Sequence, residues 1–291
     1  MHMGIDEAGY GPLLGPLTVV AISSDYSALE LTELWQANGL TVIDSKRLHS
    51  TGRLGPLEAV ALGLITWATG FTPAHAGELF SLFGESEEER AHTPWTSQAK
   101  NCSLPLEREP LTFPGGGGGQ GLSGGLLHPW HLNQAQSQGI NRSMAQWQVI
   151  ANCLIKASTP SLQMSCDRLG GRCYYQTLLQ QLHPDWNLRV LEESRRVAAY
   201  EMHGQGNQHR YEFLVGGEAA NILIAGASCI AKYCREVHMR LLNQWWQQQL
   251  RWLRPTAGYP QDAKRWLHQI GSGHRSAWGF HLERGWKDDG H

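Results

Sequence analysis

Apolar and polar positions follow two rhythms along this chain. Leu17-Thr18-Val19-Val20-Ala21-Ile22 is a short β-branched run bounded by Gly15-Pro16, the pattern of a buried strand. The residues before it, from Gly4 to Pro12, read as the end of another strand running into a tight glycine turn. The two pieces together predict an antiparallel hairpin with Asp6 and Glu7 at its bend. Helical spacing predicts short helices over 28–38 and 54–69, the second with Leu57, Ala61, Leu64 and Ile65 on one face. After position 141 the helical period returns in Met144, Trp147, Ile150, Ala151 and Leu154, which read as core residues. A strand over 162–167 ends in Asp167 and is stopped by Gly170 and Gly171. A helix over 176–182 and a strand over 187–192 follow.

Residues 218–250 read as a long helical region with a break near Gly226, and residues 262–270 as a further short helix. Between them Trp245, Trp246 and Trp252 read as packing residues. The stretch 72–135 has another character. It holds an acidic run at 85–89, prolines at 94, 105, 110 and 114, and five consecutive glycines from Gly115. Serial glycine imposes no dihedral preference, so this stretch reads as an inserted, flexible surface loop. Strands interleaved with helices indicate an α/β fold. The organisation expected is a core over 1–235 interrupted by that insert, then a C-terminal helical segment over 236–291 that binds substrate.

Composition narrows the function classes. A chain of 291 residues, 41% of them hydrophobic, can bury a sizeable core. Twenty-four Lys and Arg against 26 Asp and Glu give a formal charge of −2, which excludes a globally basic nucleic-acid binder or a polybasic membrane-surface protein. A local basic strip remains open, with Lys46, Arg47, Lys232, Arg235, Lys264 and Arg275 as its candidates. No apolar run reaches the roughly 18 residues of a membrane span. The six cysteines form no C-x-x-C pair, so the expectation is free thiols in a reducing cytoplasm rather than disulfides or structural zinc.

Candidate chemistry begins with Asp6-Glu7 at the mouth of the glycine turn. Neighbouring residues of a strand point to opposite faces, so both acids reach one site only where the strand ends. Burying two anions together is costly unless a cation neutralises them, and hard dications such as Mg²⁺ take carboxylate oxygens. Asp167 at a strand end and Glu218 at a helix start are further acids of this kind. Each alone has an ordinary structural use: a turn cap, an Asx turn, or an acid favoured by a helix dipole. Nothing in spacing or periodicity gathers all four. A dinucleotide-binding reading of Gly9, Gly11 and Gly15 fails, because the spacing is wrong and Pro12 and Pro16 would spoil the helix that must follow.

Six ordered motifs change this picture. The opening string from Gly4 to Pro16 closely resembles the first motif of type 2 ribonucleases H, ribonuclease HII in particular. Asp44-Ser45-Lys46-Arg47-Leu48 resembles the family's next element, and Cys166-Asp167-Arg168-Leu169-Gly170 its strand-end aspartate. Ala227-Ser228-Cys229-Ile230-Ala231-Lys232 is similar to the family's A-S-x-x-A-K helix motif, while Gly258-Tyr259-Pro260 and Gly273-His274-Arg275 are similar to its late elements.

The resemblance implies a ribonuclease H-like mixed β-sheet flanked by helices. It implies that Asp6, Glu7, Asp167 and Glu218 are the catalytic, metal-binding set for two Mg²⁺ or Mn²⁺ ions. Glu218 takes the place of an aspartate that the family carries ten residues before the motif serine. It further implies that Lys46, Ser228 and Lys232 contact phosphates, that the backbone at Gly9, Tyr10 and Gly11 meets a 2′-hydroxyl, and that Tyr259 lies against the sugar beside the scissile phosphate. The activity implied is endonucleolytic cleavage of RNA in RNA/DNA hybrids or of ribonucleotides embedded in duplex DNA, leaving 5′-phosphate and 3′-hydroxyl ends. The partners expected are nucleic acid and no membrane, for a monomer.

One departure stands out. The family's G-R-G triplet is here Gly9-Tyr10-Gly11, and tyrosine cannot pair with a phosphate in a bidentate fork. Hybrid and single-ribonucleotide substrates therefore both stay open. So do another nuclease of the same superfold and a hybrid-binding protein of little or no activity.

Overall fold

The structure is a computed structural model and describes residues 1–42, 45–48, 53–116 and 120–285, without the side chains of Lys46, Arg47, Ser276 and Phe280. Seven strands form one mixed sheet: β1 (His2–Ala8), β2 (Leu17–Ser24), β3 (Gly121–Leu127), β4 (Ser161–Asp167), β5 (Asn187–Glu193), β6 (Val197–Gly204) and β7 (Asn207–Leu214), in spatial order β3-β2-β1-β4-β7-β6-β5. β1 runs antiparallel to β2 with Asp6 opposite Val20 and Glu7 opposite Val19, so the hairpin is formed as its sequence predicts. On its other side β1 pairs in parallel with β4, and β4 in parallel with β7. The carboxyl ends of these central strands therefore lie together, where ligands bind in open α/β sheets.

Helices cover both faces. α1 (Ala28–Ala37) opens with a capping box, Ser27 and Glu30 each satisfying the other's backbone N–H. A four-residue helix, α2 (Ser45–Leu48), precedes α3 (Gly55–Thr69), which has Pro56 in its first turn and stops at the left-handed Gly70. The sheet face carrying Val20 and Ile22 packs against α3 and the long C-terminal helix described below. The face carrying Ile5, Val19 and Ala21 packs against Trp147, Ile150 and Leu154, the apolar stripe expected of the helix after position 141.

The stretch 72–135 is not a loop. It carries α4 (Ala76–Ser81), α5 (Glu87–Ala91), α6 (Pro94–Ser97), edge strand β3 and α7 (Pro129–Ser137). Scattered among its polar residues, Leu79, Phe80, Phe83, Trp95 and Phe113 are buried in the core. Two charged anchors fasten it. Glu58 of α3, with no exposed surface, accepts the N–H groups of Leu106, Glu107 and Arg108 at 2.6, 2.6 and 2.8 Å and the Tyr233 hydroxyl at 2.7 Å. Buried Glu85 pairs with His128 and Arg90.

The remaining helices are α8 (Arg142–Ala157), α9 (Gln176–Leu182), α10 (Gly217–Ala220), α11 (Ile222–Gln249) and α12 (Pro260–Leu282). The break expected near Gly226 falls instead at Asn221, which leaves helical geometry and caps α11 by accepting from Leu223 N–H at 2.9 Å. The boundary expected between 235 and 236 lies within α11, which continues unbroken to Gln249. α11 crosses directly over β1, and Gly4 permits it: a Cβ there would stand 2.3 Å from the Leu223 carbonyl carbon. α12 runs well beyond the predicted 262–270, kinking at Gly271. Its Trp266 packs edge-to-face on Trp246 of α11 in a separate apolar cluster, the packing role expected for the tryptophans, whereas Trp252 is 62% exposed.

Candidate active site

Four acids come from three elements at the carboxyl ends of the central strands. Asp6 sits near the end of β1 and is almost fully buried, 4% exposed. Its Oδ1 accepts the N–H of Glu7 at 2.8 Å, while its buried Oδ2 has no hydrogen-bond partner among the described residues. Glu7 faces the other side of the strand, where Gln146 of α8 donates to its Oε2 at 2.9 Å. β1 continues to Ala8, past both acids, and the Asp6 and Glu7 carboxyls still act on one another. Asp167 ends β4, with Oδ1 accepting the N–H of Gly217 at 2.7 Å. Glu218 is the next residue after Gly217, in the first turn of α10.

Their charges bear on one another. Burial holds the Asp6 carboxyl well above the usual carboxylate range, and the negative charges of Glu7, Asp167 and Glu218 push the same way, opposed by the Ser228 hydroxyl beside it. Burial also lifts Glu7, to about 8, with Asp167 and Glu218 adding to the rise and Gln146 opposing it. A divalent cation would relieve this charge, and the donors are the oxygen ligands that Mg²⁺ and Mn²⁺ take. The buried, unpartnered Asp6 Oδ2 is where a ligating atom is missing a partner. Among the described residues no three His, Cys, Asp or Glu side chains are gathered closely enough to hold an ion as they stand.

The glycine–proline loop after β1 is held by three arginines, of which the sequence pointed only to Arg235, and to that as a phosphate contact. Gly9 has φ +93°, and a Cβ there would lie 2.4 Å from the Pro16 carbonyl oxygen. Arg284, buried, donates to the carbonyls of Gly9 at 2.6 Å and Gly15 at 2.7 Å. Arg235, also buried, donates to the carbonyls of Leu14 at 3.2 Å and Ala257 at 2.9 Å. Arg142 donates to the Tyr10 carbonyl and lies over its ring, 5.1 Å from the centroid. A guanidinium thus stands at the substituted triplet after all, contributed by α8. Nothing in the sequence pattern signals Arg284, Arg142 or Gln146; long-range contacts leave no local period.

Other expected residues fall as follows. Gly11 is exposed in open space, so backbone there is approachable. Ser228 lies on α11, its hydroxyl 3.1 Å from that of Ser45 in α2, and Lys232 follows one turn later on the same face, half-buried. Lys46 is next to Ser45, but its side chain lies outside the described residues, as do Asp44 and Arg47. Tyr259 precedes α12 and is 57% exposed, with the Arg235 guanidinium 5.9 Å from its ring centroid. Gly258 accepts from the N–H groups of Leu13 and Leu14, which fixes Tyr259 beside the first motif. The basic strip is smaller than expected. Arg235 is consumed by carbonyls, and Arg275 pairs with Glu283 at 2.7 Å.

Residues 3–58, which include Asp6, Glu7 and the glycine–proline loop, match the family model described as ribonuclease HII. This part of the chain is therefore similar to ribonuclease HII. The mixed sheet flanked by helices agrees with the architecture expected from the motifs. Asp167, Glu218, Ser228, Lys232 and Tyr259 lie outside the matched residues.

Solved structures similar to it include the ribonuclease HII of Archaeoglobus fulgidus in its PCNA complex, at 14% identity and TM-score 0.42, covering 100% of this chain and 97% of that one. Bst-RNase HIII in complex with Mn²⁺ is similar at 16% identity and TM-score 0.48, with 98% of this chain spanning 66% of that one. The ribonuclease H2 of Pyrococcus horikoshii OT3 is similar at 14% identity and TM-score 0.39, with 98% and 93% covered. No curated protein matches the sequence.

Proposed function

We propose that this protein is a divalent-metal-dependent endoribonuclease. Its substrates are RNA/DNA hybrids or duplex DNA containing ribonucleotides, and its products carry 5′-phosphate and 3′-hydroxyl ends. The observation that carries this reading is the Asp6 carboxylate: buried, with one oxygen unpartnered, inside the matched family region, and repelled by three acids from other positions in the fold. Asp6, Glu7, Asp167 and Glu218 would hold two Mg²⁺ or Mn²⁺ ions. When bound, such a pair lowers the pKa of an attacking water and stabilises the departing oxygen.

The chain's own residues do the positioning. Gln146 anchors the Glu7 carboxylate and the Gly217 N–H anchors Asp167, so the acids would draw together from held positions when an ion arrives. The clamped loop presents exposed Gly11 backbone to a 2′-hydroxyl, the group that separates RNA from DNA. Tyr259, exposed and fixed through Gly258, offers a flat ring to the sugar at that point. Ser228 and Lys232 supply a hydroxyl and a cation for the backbone phosphates.

The direct test is cleavage of two labelled duplexes, one a continuous hybrid and one with a single ribonucleotide, with Mg²⁺, with Mn²⁺ and with chelator. Ion-dependent cuts leaving 5′-phosphate ends support the reading. Binding with no cleavage under any ion supports the second reading, a hybrid-binding protein, which the lack of a gathered ligand group among the described residues favours.

A further inference from the structure

Beside the acids, the turn after β4 builds a second feature that the mechanism above does not use. Asp167 leads into Gly170, where the chain turns with φ +55°, and then into Gly171-Arg172-Cys173-Tyr174. This turn is rigid. The Tyr175 hydroxyl bonds the Leu169 N–H and the Arg172 carbonyl, each at 3.1 Å, and the Tyr175 ring stacks in the core on Phe213. The next ring out, Tyr174, is 67% exposed, as exposed as any large apolar side chain in the described residues. Arg172 is half-buried beside it, and its guanidinium donates to Ser143 Oγ and Met144 Sδ, both at 3.5 Å. No carboxylate pairs with it among the described residues. These residues line a recess of about 340 Å³ with Ser143 and Leu169. The recess adjoins the first motif, for a Cβ on Gly170 would stand 2.8 Å from the Tyr10 hydroxyl.

We infer that this recess is a subsite for the nucleotide flanking the cleaved linkage, with its phosphate on Arg172 and its sugar against the Tyr174 ring. The inference rests on the ribonuclease reading and extends it to specific contacts. A guanidinium with unused donors is a phosphate ligand, and an exposed ring held on a rigid turn is a binding element rather than a packing one. Its place beside Asp167 and Tyr10 puts it next to the reacting linkage.

Cys173 supplies the probe, since it is exposed on this turn while Cys153, Cys166, Cys229 and Cys234 are buried. The full chain in chelator is alkylated with iodoacetamide, with and without a saturating RNA/DNA hybrid, binding being followed by fluorescence anisotropy. Cys173 should react at least about fivefold more slowly when the hybrid is bound. Arg172→Ala should weaken binding about tenfold and reduce the slope of log K against log salt by about 0.9, one phosphate's share. Tyr174→Ala should weaken it while Tyr174→Phe restores it. Binding with Cys173 still fully reactive, or with an unchanged salt slope in Arg172→Ala, overturns the subsite and leaves the ribonuclease reading standing. Failure of the wild-type protein to bind either duplex overturns both.

Discussion

Arg284 donates through Nη2 to the carbonyl oxygen of Gly15 at 2.7 Å, joining positions 269 residues apart. With its further bond to Gly9, the guanidinium closes the loop that begins just after the two adjacent acids. Arg284→Ala should therefore destabilise the protein by about 3 kcal/mol, since each hydrogen bond from a charged group contributes about 1.5–3 kcal/mol and the vacated carbonyls stay buried. Urea denaturation checks the size. Cleavage should fall as well, and an Arg284→Ala variant with wild-type stability would show that the loop holds its shape unaided.

Asp6→Asn should separate stability from activity. The amide keeps the shape and removes a buried charge that three other acids oppose. In metal-free protein it should raise stability by about 1–2 kcal/mol, while cleavage drops at least about a hundredfold. Thermal melts in chelator and a gel assay read the two effects; a variant that cuts at the wild-type rate would remove Asp6 from the ion-binding set.

Glu7 sets the pH dependence of the metal-free protein. Its folded carboxyl titrates at about 8 against an ordinary value of 4.5. A raised folded pKa gives stability that is complete below the unfolded value and is lost as pH rises through the folded one. Metal-free protein should thus become less stable between about pH 4.5 and 8, and Mg²⁺ should raise the melting temperature far more at pH 8 than at pH 5. Equal Mg²⁺ effects at both pH values would mean that the ion does not meet these carboxylates.

Glu58 tests how firmly the 72–135 stretch is built in. Its carboxylate accepts three backbone N–H groups and one hydroxyl without any exposure to water. Glu58→Ala leaves all four donors unpaired, and a loss of about 3 kcal/mol or more is expected from calorimetry. A negligible change would mean that residues 106–108 contribute little to the folded state.

Where the sequence was legible, local pattern and tertiary need agreed. β2 is a β-branched run, α3 has proline at its start and glycine at its end, and each lies within a residue or two of its expected bounds. β3 was illegible because it contains Gly121, Gly124 and Gly125, residues that weaken a strand pattern. They are demanded from outside the segment: a Cβ on Gly124 would lie 2.2 Å from the Val19 carbonyl oxygen, and one on Gly125 would lie 2.8 Å from a Val149 methyl. The β6–β7 hairpin was missed because its turn is Gln205-Gly206 rather than the usual Asn-Gly, although both residues take the positive φ such a turn needs. At the site, the four acids came from motif resemblance. Gln146, which holds Glu7, and Arg142 and Arg284, which hold the adjoining loop, are fixed only by three-dimensional contact and left no mark on the local pattern.

The Arg284 clamp also bears on the order of events during biosynthesis. The loop at residues 9–15 leaves the ribosome early, and the side chain that ties it down is added 269 residues later. A nascent chain can assemble its first hairpin long before the loop beside its acids acquires a settled shape, so that loop is completed only once residue 284 has emerged.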